Sequence, residues 1–405
     1  MQEHRRHRRP GGAPRRPRVP GPPGPSRDGR VRRQAGPGAR RPRPPRRSRG
    51  PRPPDAGRLA GRPRGPGLAR RRPAGPDGRR CGVSGPRLRF AEAVCSGHPD
   101  RLADSVADRI VDLALSHDGD ALVAVEVALF REAVFVDGRI AAGETCDAAV
   151  SEAEVVRAVR DAYRAAGYEG PVHVPPQLYE PDPHALAVRL DLCLGPLGPG
   201  ERATRLVADD QVIGVGYACR GERAGLIPLE QALARDFVAA LEGLRRDRPD
   251  LYGPDGKVLV AVQGRRLHAV ALAVHHAVEA DWLGLVAATK RACLAVADEY
   301  VASGELDPPG EEVPWLFNGM GPFSVGGPMA DNGLSGKKLV AEAYGTFVPV
   351  GGGTVHGKDP KKPDVRAQRI ARERAVALVR AGAPEATVWV VFRPGDTDPA
   401  WIEEG

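Results

Sequence analysis

Residues 318–364 read NGMGPFSVGGPMADNGLSGKKLVAEAYGTFVPVGGGTVHGKDPKKPD. The stretch holds eleven glycines, lysines at 337–338 and 358–362, and a closing aspartate. Glycine lets the backbone approach a bound group closely and reach positive φ. Lysine is a compact point charge suited to phosphate. The whole chain has seven lysines, and five of them lie here; elsewhere basic charge is carried by arginine. The pattern predicts a loop lining a polyphosphate, with a solvated glycine loop as the plainer alternative.

Gly352–Lys358 fits G-x-x-x-x-G-K, but a P-loop then requires a hydroxyl residue for Mg2+. Asp359 and Pro360 follow instead. A carboxylate there repels phosphate, so a P-loop NTPase is excluded. What remains is glycine backbone, several lysines and carboxylates able to hold Mg2+ through oxygen, with Asp100 and Asp364 as candidates.

Upstream, Ser96-Gly97-His98-Pro99-Asp100-Arg101 opens a predicted helix running to about Ser116, with Pro99 in its first turn. Leu102, Val106, Ile110 and Leu113 form the apolar stripe. Asp100, Asp104, Asp108 and Asp112 recur every four residues on another face. His98 and Asp100 sit where the helix meets a loop, whereas Asp108 and Asp112 read as solvated. Strands are expected at Leu122–Phe130, carrying Glu126, and at Ala133–Ile140. Ser151 and Glu154 make a capping box for a helix to Ala166. A strand at Ala187–Leu194 precedes a flexible loop at Gly195–Arg205. Asp209 and Asp210 enter a glycine-spaced strand and either orient a ligand or make a turn.

Pro228–Leu244 reads as a helix, Pro254–Gly256 as a turn, and Lys257–Gln263 with Leu267–His276 as a hairpin. A helix follows from Leu283 to Val301. Strands are expected near Phe323–Val325 and Lys338–Tyr344, then a helix from Asp364 to Ala381 and a strand at Thr387–Arg393. The repetition predicts three related α+β units: 87–198, 199–317 and 318–405.

Charge separates these units from what precedes them. Residues 1–80 carry 26 Arg against 4 Asp or Glu, or +22; the remainder carries 34 basic and 47 acidic residues, or −13. The Arg/Pro/Gly-rich segment 1–86 is expected to be a disordered basic tail or a mis-assigned start. Met1 is the only methionine before Met320, which points to a start near Val83 or Leu88. Nucleic acid is not an expected partner, except through the tail. Six scattered cysteines without a CxxC pair fit reduced thiols in a cytoplasmic protein. No apolar run reaches membrane-spanning length.

SGHPDRLAD, DDQVIGVGYA, PDGK, GPFSVGGPMADNGLSGKK and AYGTFVPVGGGTVHGKDPKKPD, in this order, resemble the S-adenosylmethionine synthetase (methionine adenosyltransferase) family across residues 89 to about 400. The resemblance implies a three-domain α+β fold with pseudo-threefold symmetry. It implies a homodimer or dimer of dimers with shared active sites, and ATP and L-methionine as substrates. The implied reaction is attack of methionine sulfur on C5′ of ATP, with cleavage of the displaced triphosphate to phosphate and pyrophosphate. Implied cofactors are Mg2+, held by Asp100 and Asp364, and K+, held by Glu126. His98 would lie at the 5′ oxygen. Lys257, Lys337, Lys338, Lys358 and Lys362 would line the phosphates, with Lys338 and Lys358 also catalytic. Asp210 and Gln211 would contact the adenosine or methionine side, Phe323 would pack on the substrates, and Asp331 would hold the nucleoside or the methionine amino group. Arg139 stands where the family carries a Glu that contacts methionine. That reversal keeps open an altered acceptor, a triphosphate-cleaving enzyme or a non-catalytic paralogue.

Overall fold

The computed structural model describes residues 86–145, 149–170 and 176–405. The expected tail, as far as residue 85, lies outside the described residues.

In chain order the strands are β1 (Leu88–Val94), β2 (Leu122–Phe130), β3 (Ala133–Ala141), β4 (Ala187–Gly195), β5 (Val212–Cys219), β6 (Tyr252–Gln263), β7 (Arg266–His276), β8 (Trp315–Phe317), β9 (Gly333–Leu334), β10 (Glu385–Phe392) and β11 (Trp401–Glu404). The helices are α1 (Pro99–His117), α2 (Glu152–Ala166), α3 (Pro199–Thr204), α4 (Leu229–Asp247), α5 (Trp282–Ala302), α6 (Leu339–Glu342) and α7 (Pro363–Arg380). The architecture is mixed α+β. Among the described residues the strands form three sheets, in the orders β4-β3-β2-β9, β1-β6-β7-β8 and β11-β10-β5.

Each sheet buries one face under helices. Leu102, Val106 and Ile110 of α1 and Val155, Val159 and Tyr163 of α2 cover Val123, Val125, Val134 and Val136. Leu233, Phe237 and Leu241 of α4 join Val258, Val260 and Val270 in a second core, which α5 completes through Cys293, Ala297 and Tyr300. Ala367, Ala371 and Ala375 of α7 cover the third sheet at Val388, Val390 and Phe392. Fully burying a Val, Leu or Phe side chain contributes about 1.5–3 kcal/mol, so these three cores carry the fold. The capping box at the start of α2 is present in full.

The second and third sheets draw on distant segments. β1 pairs with β6, and β5 pairs with β10. β2 organises the glycine–lysine stretch. One edge of β2 pairs with β3. Its other edge takes β9 opposite Ala128 and Leu129, and the Gly357–Asp359 segment opposite Val123–Val125. The two lysine-bearing loops therefore lie end to end along one strand edge.

Several sequence expectations are corrected. Lys338–Tyr344 is not a strand but holds the short helix α6, and Phe323–Val325 belongs to no strand. Phe323 instead bonds His276 twice, its carbonyl accepting from the His276 backbone and its own N–H meeting the ring. Pro254–Gly256 is not a free turn but an irregularity within β6. The expected loop at 195–205 contains α3, started by Pro199 with Glu201 bonding the Gly198 N–H. Asp108 is not simply solvated, because it bonds the Gly357 N–H and the His356 ring. Asp112 is exposed, as expected.

Candidate active site

α1 and α7 begin alike. Each has Pro at its first position and Asp next, in His98-Pro99-Asp100 and Lys362-Pro363-Asp364. A carboxylate in the first turn of a helix is stabilised by the helix dipole. Both carboxylates also face ammonium groups. Asp100, 1% exposed, lies 3.3 Å from Lys337 Nζ and 3.2 Å from Lys338 Nζ, and it accepts the Leu334 N–H at 3.2 Å. Asp364 lies 3.0 Å from Lys358 Nζ. Gly353 leaves room for that carboxylate, because a Cβ there would collide with Asp364 Oδ1. Lys362 reaches Asp209 at 2.5 Å.

The aspartate ladder of α1 is the seat for both loops. Asp100 takes Leu334, Asp104 takes the Gly336 N–H at 2.7 Å, and Asp108 takes Gly357. Helical i, i+4 spacing puts the three carboxylates in a row, and the row matches the line of the two loops on β2.

His98 caps α1. Its Nδ1 accepts the Asp100 N–H at 3.3 Å. Burial, then the charges of Lys338 and Lys257, lower its pKa to about 4. The ring is neutral at pH 7, and with Nδ1 accepting, its proton sits on Nε2 as a donor.

The structure thus gathers His98, Asp100, Lys337 and Lys338, with Lys257 and Asp331 acting on His98 through their charge. Lys257 is paired with Glu92 at 2.9 Å. Asp331 is exposed and bonds the Asn332 N–H. Phe323 packs on His275, ring centres 5.2 Å apart. Lys358, Lys362 and Asp364 form a second cluster with Asp209. Asp210 closes a local turn on the Gln211 N–H at 2.7 Å, and both residues are exposed just before β5. Among the described residues no ion pair links the Asp100 cluster to the Asp364 cluster.

Glu126 lies on the exposed face of β2, in register with Asp137, which is in register with Asp191 of β4. Three carboxylates in one cross-strand row repel one another, and their hard oxygens suit a hard cation. Only pairing register reveals this row; the three residues are far apart in sequence. Asp100 and Asp364 likewise offer hard oxygens, here beside lysine ammonium groups, the donor chemistry that Mg2+ takes.

Arg139 does not stand as a bare charge. Its Nε and Nη2 donate to the two carboxylate oxygens of Glu201 at 2.9 Å, and the guanidinium also meets the carbonyls of Ile140, Cys193 and Pro196. Sequence reading missed Glu201 because its segment lacked any helical signal beyond Pro199. It also missed Glu342 and His356, which the fold brings beside Asp104.

Comparison with known proteins agrees with this picture. Residues 87–174 match the S-adenosylmethionine synthetase N-terminal domain, and residues 325–403 match the C-terminal domain. The chain is 32% identical over 329 residues to the S-adenosylmethionine synthase of Parafrankia sp. (strain EAN1pec), covering 78% of this chain and 81% of that one. It is 33% identical over 324 residues to that of Thermus thermophilus, covering 77% and 80%. An unusual S-adenosylmethionine synthetase from Campylobacter jejuni has the same fold, with a TM-score of 0.69 at 23% identity over 79% of this chain and 81% of that one. Matched over more than three quarters of its length at about a third identity, the chain belongs to the S-adenosylmethionine synthetase family.

Proposed function

We propose that the chain is a methionine adenosyltransferase. It joins the sulfur of L-methionine to C5′ of ATP, breaking the C5′–O bond and releasing triphosphate, which water then cleaves to phosphate and pyrophosphate. The observation that carries this reading is buried Asp100 held between Lys337 and Lys338, beside a neutral His98 with Nε2 as donor. Nε2–H stabilises negative charge growing on the departing 5′ oxygen, and Lys257, Lys337, Lys338, Lys358 and Lys362 compensate the triphosphate. Asp210 and Gln211 face the adenosine or methionine side, Phe323 packs on the substrates, and Asp331 holds the nucleoside or the amino group.

Asp100 and Asp364 would hold Mg2+, and Glu126 with Asp137 and Asp191 would hold K+. These ions supply further neutralisation of the leaving group. The pairing of Arg139 with Glu201 removes the charge argument against methionine, so no observation favours an altered acceptor.

The site is shared between two subunits of a homodimer or dimer of dimers. One feature supports this: the outer sheet faces expose Phe90, Leu259 and Leu316 on one sheet and Phe130 and Phe135 on another. Three helix-backed sheets agree with a pseudo-threefold, three-domain arrangement. No described helix is long and apolar enough to span a membrane.

The test is to incubate the purified chain with ATP, methionine, Mg2+ and K+ and to quantify S-adenosylmethionine and phosphate. Equal amounts of the two are expected, with one pyrophosphate each. Phosphate without S-adenosylmethionine would sink the reading.

A further inference from the structure

Asp104, Glu342 and His356 meet beneath the two loops, and one donor atom from each lies within 4.8 Å of the others. Asp104 is fully buried, yet its Oδ2 has no hydrogen-bond partner. A buried carboxylate oxygen left alone carries a desolvation cost that only a proton or a cation relieves. The other polar atom of each of the three groups is already occupied. Asp104 Oδ1 takes the Gly336 N–H at 2.7 Å. Glu342 Oε1 takes Arg101 at 2.8 Å. His356 Nδ1 faces Asp108 Oδ2 at 2.7 Å, while its Nε2 faces Glu342 Oε2 at 2.5 Å.

This is how a metal-binding histidine is supported. The Asp108 carboxylate on Nδ1 fixes the ring; the Nε2 proton that now bridges to Glu342, in a ring that the two carboxylates hold protonated against the effect of burial, leaves when an ion binds. We infer that Asp104 Oδ2, Glu342 Oε2 and His356 Nε2 form a binding site for a divalent first-row transition ion of the Zn2+ class. One imidazole with two carboxylates suits Zn2+ or Co2+, whereas Mg2+ favours oxygen alone. Bonds near 2.0–2.1 Å to a tetrahedral ion hold donors about 3.3 Å apart, so Glu342 and His356 part slightly on binding.

A cavity of about 880 Å³ provides access, with Arg101, Glu342 and His356 in its wall beside Arg235, Gln368 and Arg372. The ion ties α1, through Asp104, to α6 and to the loop before Lys358. It therefore clamps both lysine-bearing segments to the helix that carries Asp100. The site uses none of the groups assigned to the reaction, and its test does not depend on turnover.

The full-length protein, stripped with chelator, is titrated with Co2+ in excess Mg2+, which occupies all-oxygen sites, and binding is followed by visible absorption and equilibrium dialysis. The expected result is one His356-dependent Co2+ per chain, displaced by Zn2+, with at least a hundredfold loss of affinity in both His356→Ser and Asp104→Asn. Failure of the wild type to bind more Co2+ than these variants overturns the site and leaves a proton on Asp104 as the occupant. Should either variant misfold by circular dichroism, Asp108→Asn carries the test, since it keeps all three donors and alters only the bond behind the ring. An affinity about 10- to 100-fold weaker supports the site; an unchanged affinity overturns it.

Discussion

Asp359 shows how a residue is read one way in sequence and put to another use in the fold. In sequence it excludes a P-loop, because a carboxylate repels phosphate. In the structure it is fully buried and accepts from the Val123 and Lys361 N–H groups and from the Arg205 guanidinium. Its charge anchors the lysine loop to β2, and losing one partner of such a buried pair costs about 3–5 kcal/mol. His275 is a second such residue. It is buried against Phe323 and neither ring nitrogen has a side-chain partner, so burial lowers its pKa to about 4. The unfolded chain then binds the extra proton between pH 6.5 and 4, and stability falls as pH falls through that window. Urea melts of the wild type at pH 7 and pH 5 are expected to show this loss. His275→Leu is expected to make it shallower, leaving the share of His98, whose pKa is lowered alike; an equally steep slope in that variant would assign the loss to other groups.

At the scale of elements, α7 packs closely on β5 through small residues. Ala367, Ala371 and Ala375 recur every four residues on the buried face of the helix, and Gly214 and Gly216 lie beneath them. A Cβ at Gly216 would run into the backbone of Ala371 and Arg372. Gly216→Ala therefore forces strand and helix apart, and overpacking of this kind costs about 1–3 kcal/mol. Urea denaturation measures the loss. A stability equal to wild type would show that the interface is loose. The shift also moves the start of α7, so a fall in activity should accompany it. Helical periodicity made α1 and α4 legible, because each buries one continuous stripe. α6 was not legible, since four residues are too few to display a period.

At the scale of the molecule, the strands of each sheet come from far apart, and so do the members of each cluster. If the active site is shared between subunits, damage to different clusters is complementary. His98→Asn keeps a helix cap while removing the ring donor, and Asp364→Asn removes the other cluster's carboxylate. Each variant alone is expected to lose at least about a hundredfold in turnover. Co-expressed, random pairing in a two-fold dimer restores about a quarter of wild-type activity, carried by the one intact site in each mixed pair. Activity no higher than in the single variants would place both clusters in one chain's site.

Sequence alone determined the α+β class, the main helices and hairpins, and the family, because periodicity is local and short motifs of glycine, lysine and aspartate keep their order. It also singled out His98, Asp100 and the lysines, since a chain so poor in lysine concentrates five of its seven in one stretch. Tertiary structure alone decided what depends on pairing across distance. It seated the two lysine loops along one edge of β2 and set the α1 aspartates beneath them. It compensated Arg139 with Glu201, and brought Glu342 and His356 to Asp104. Register, burial and charge pairing arise only when the chain closes on itself, and no local pattern encodes them.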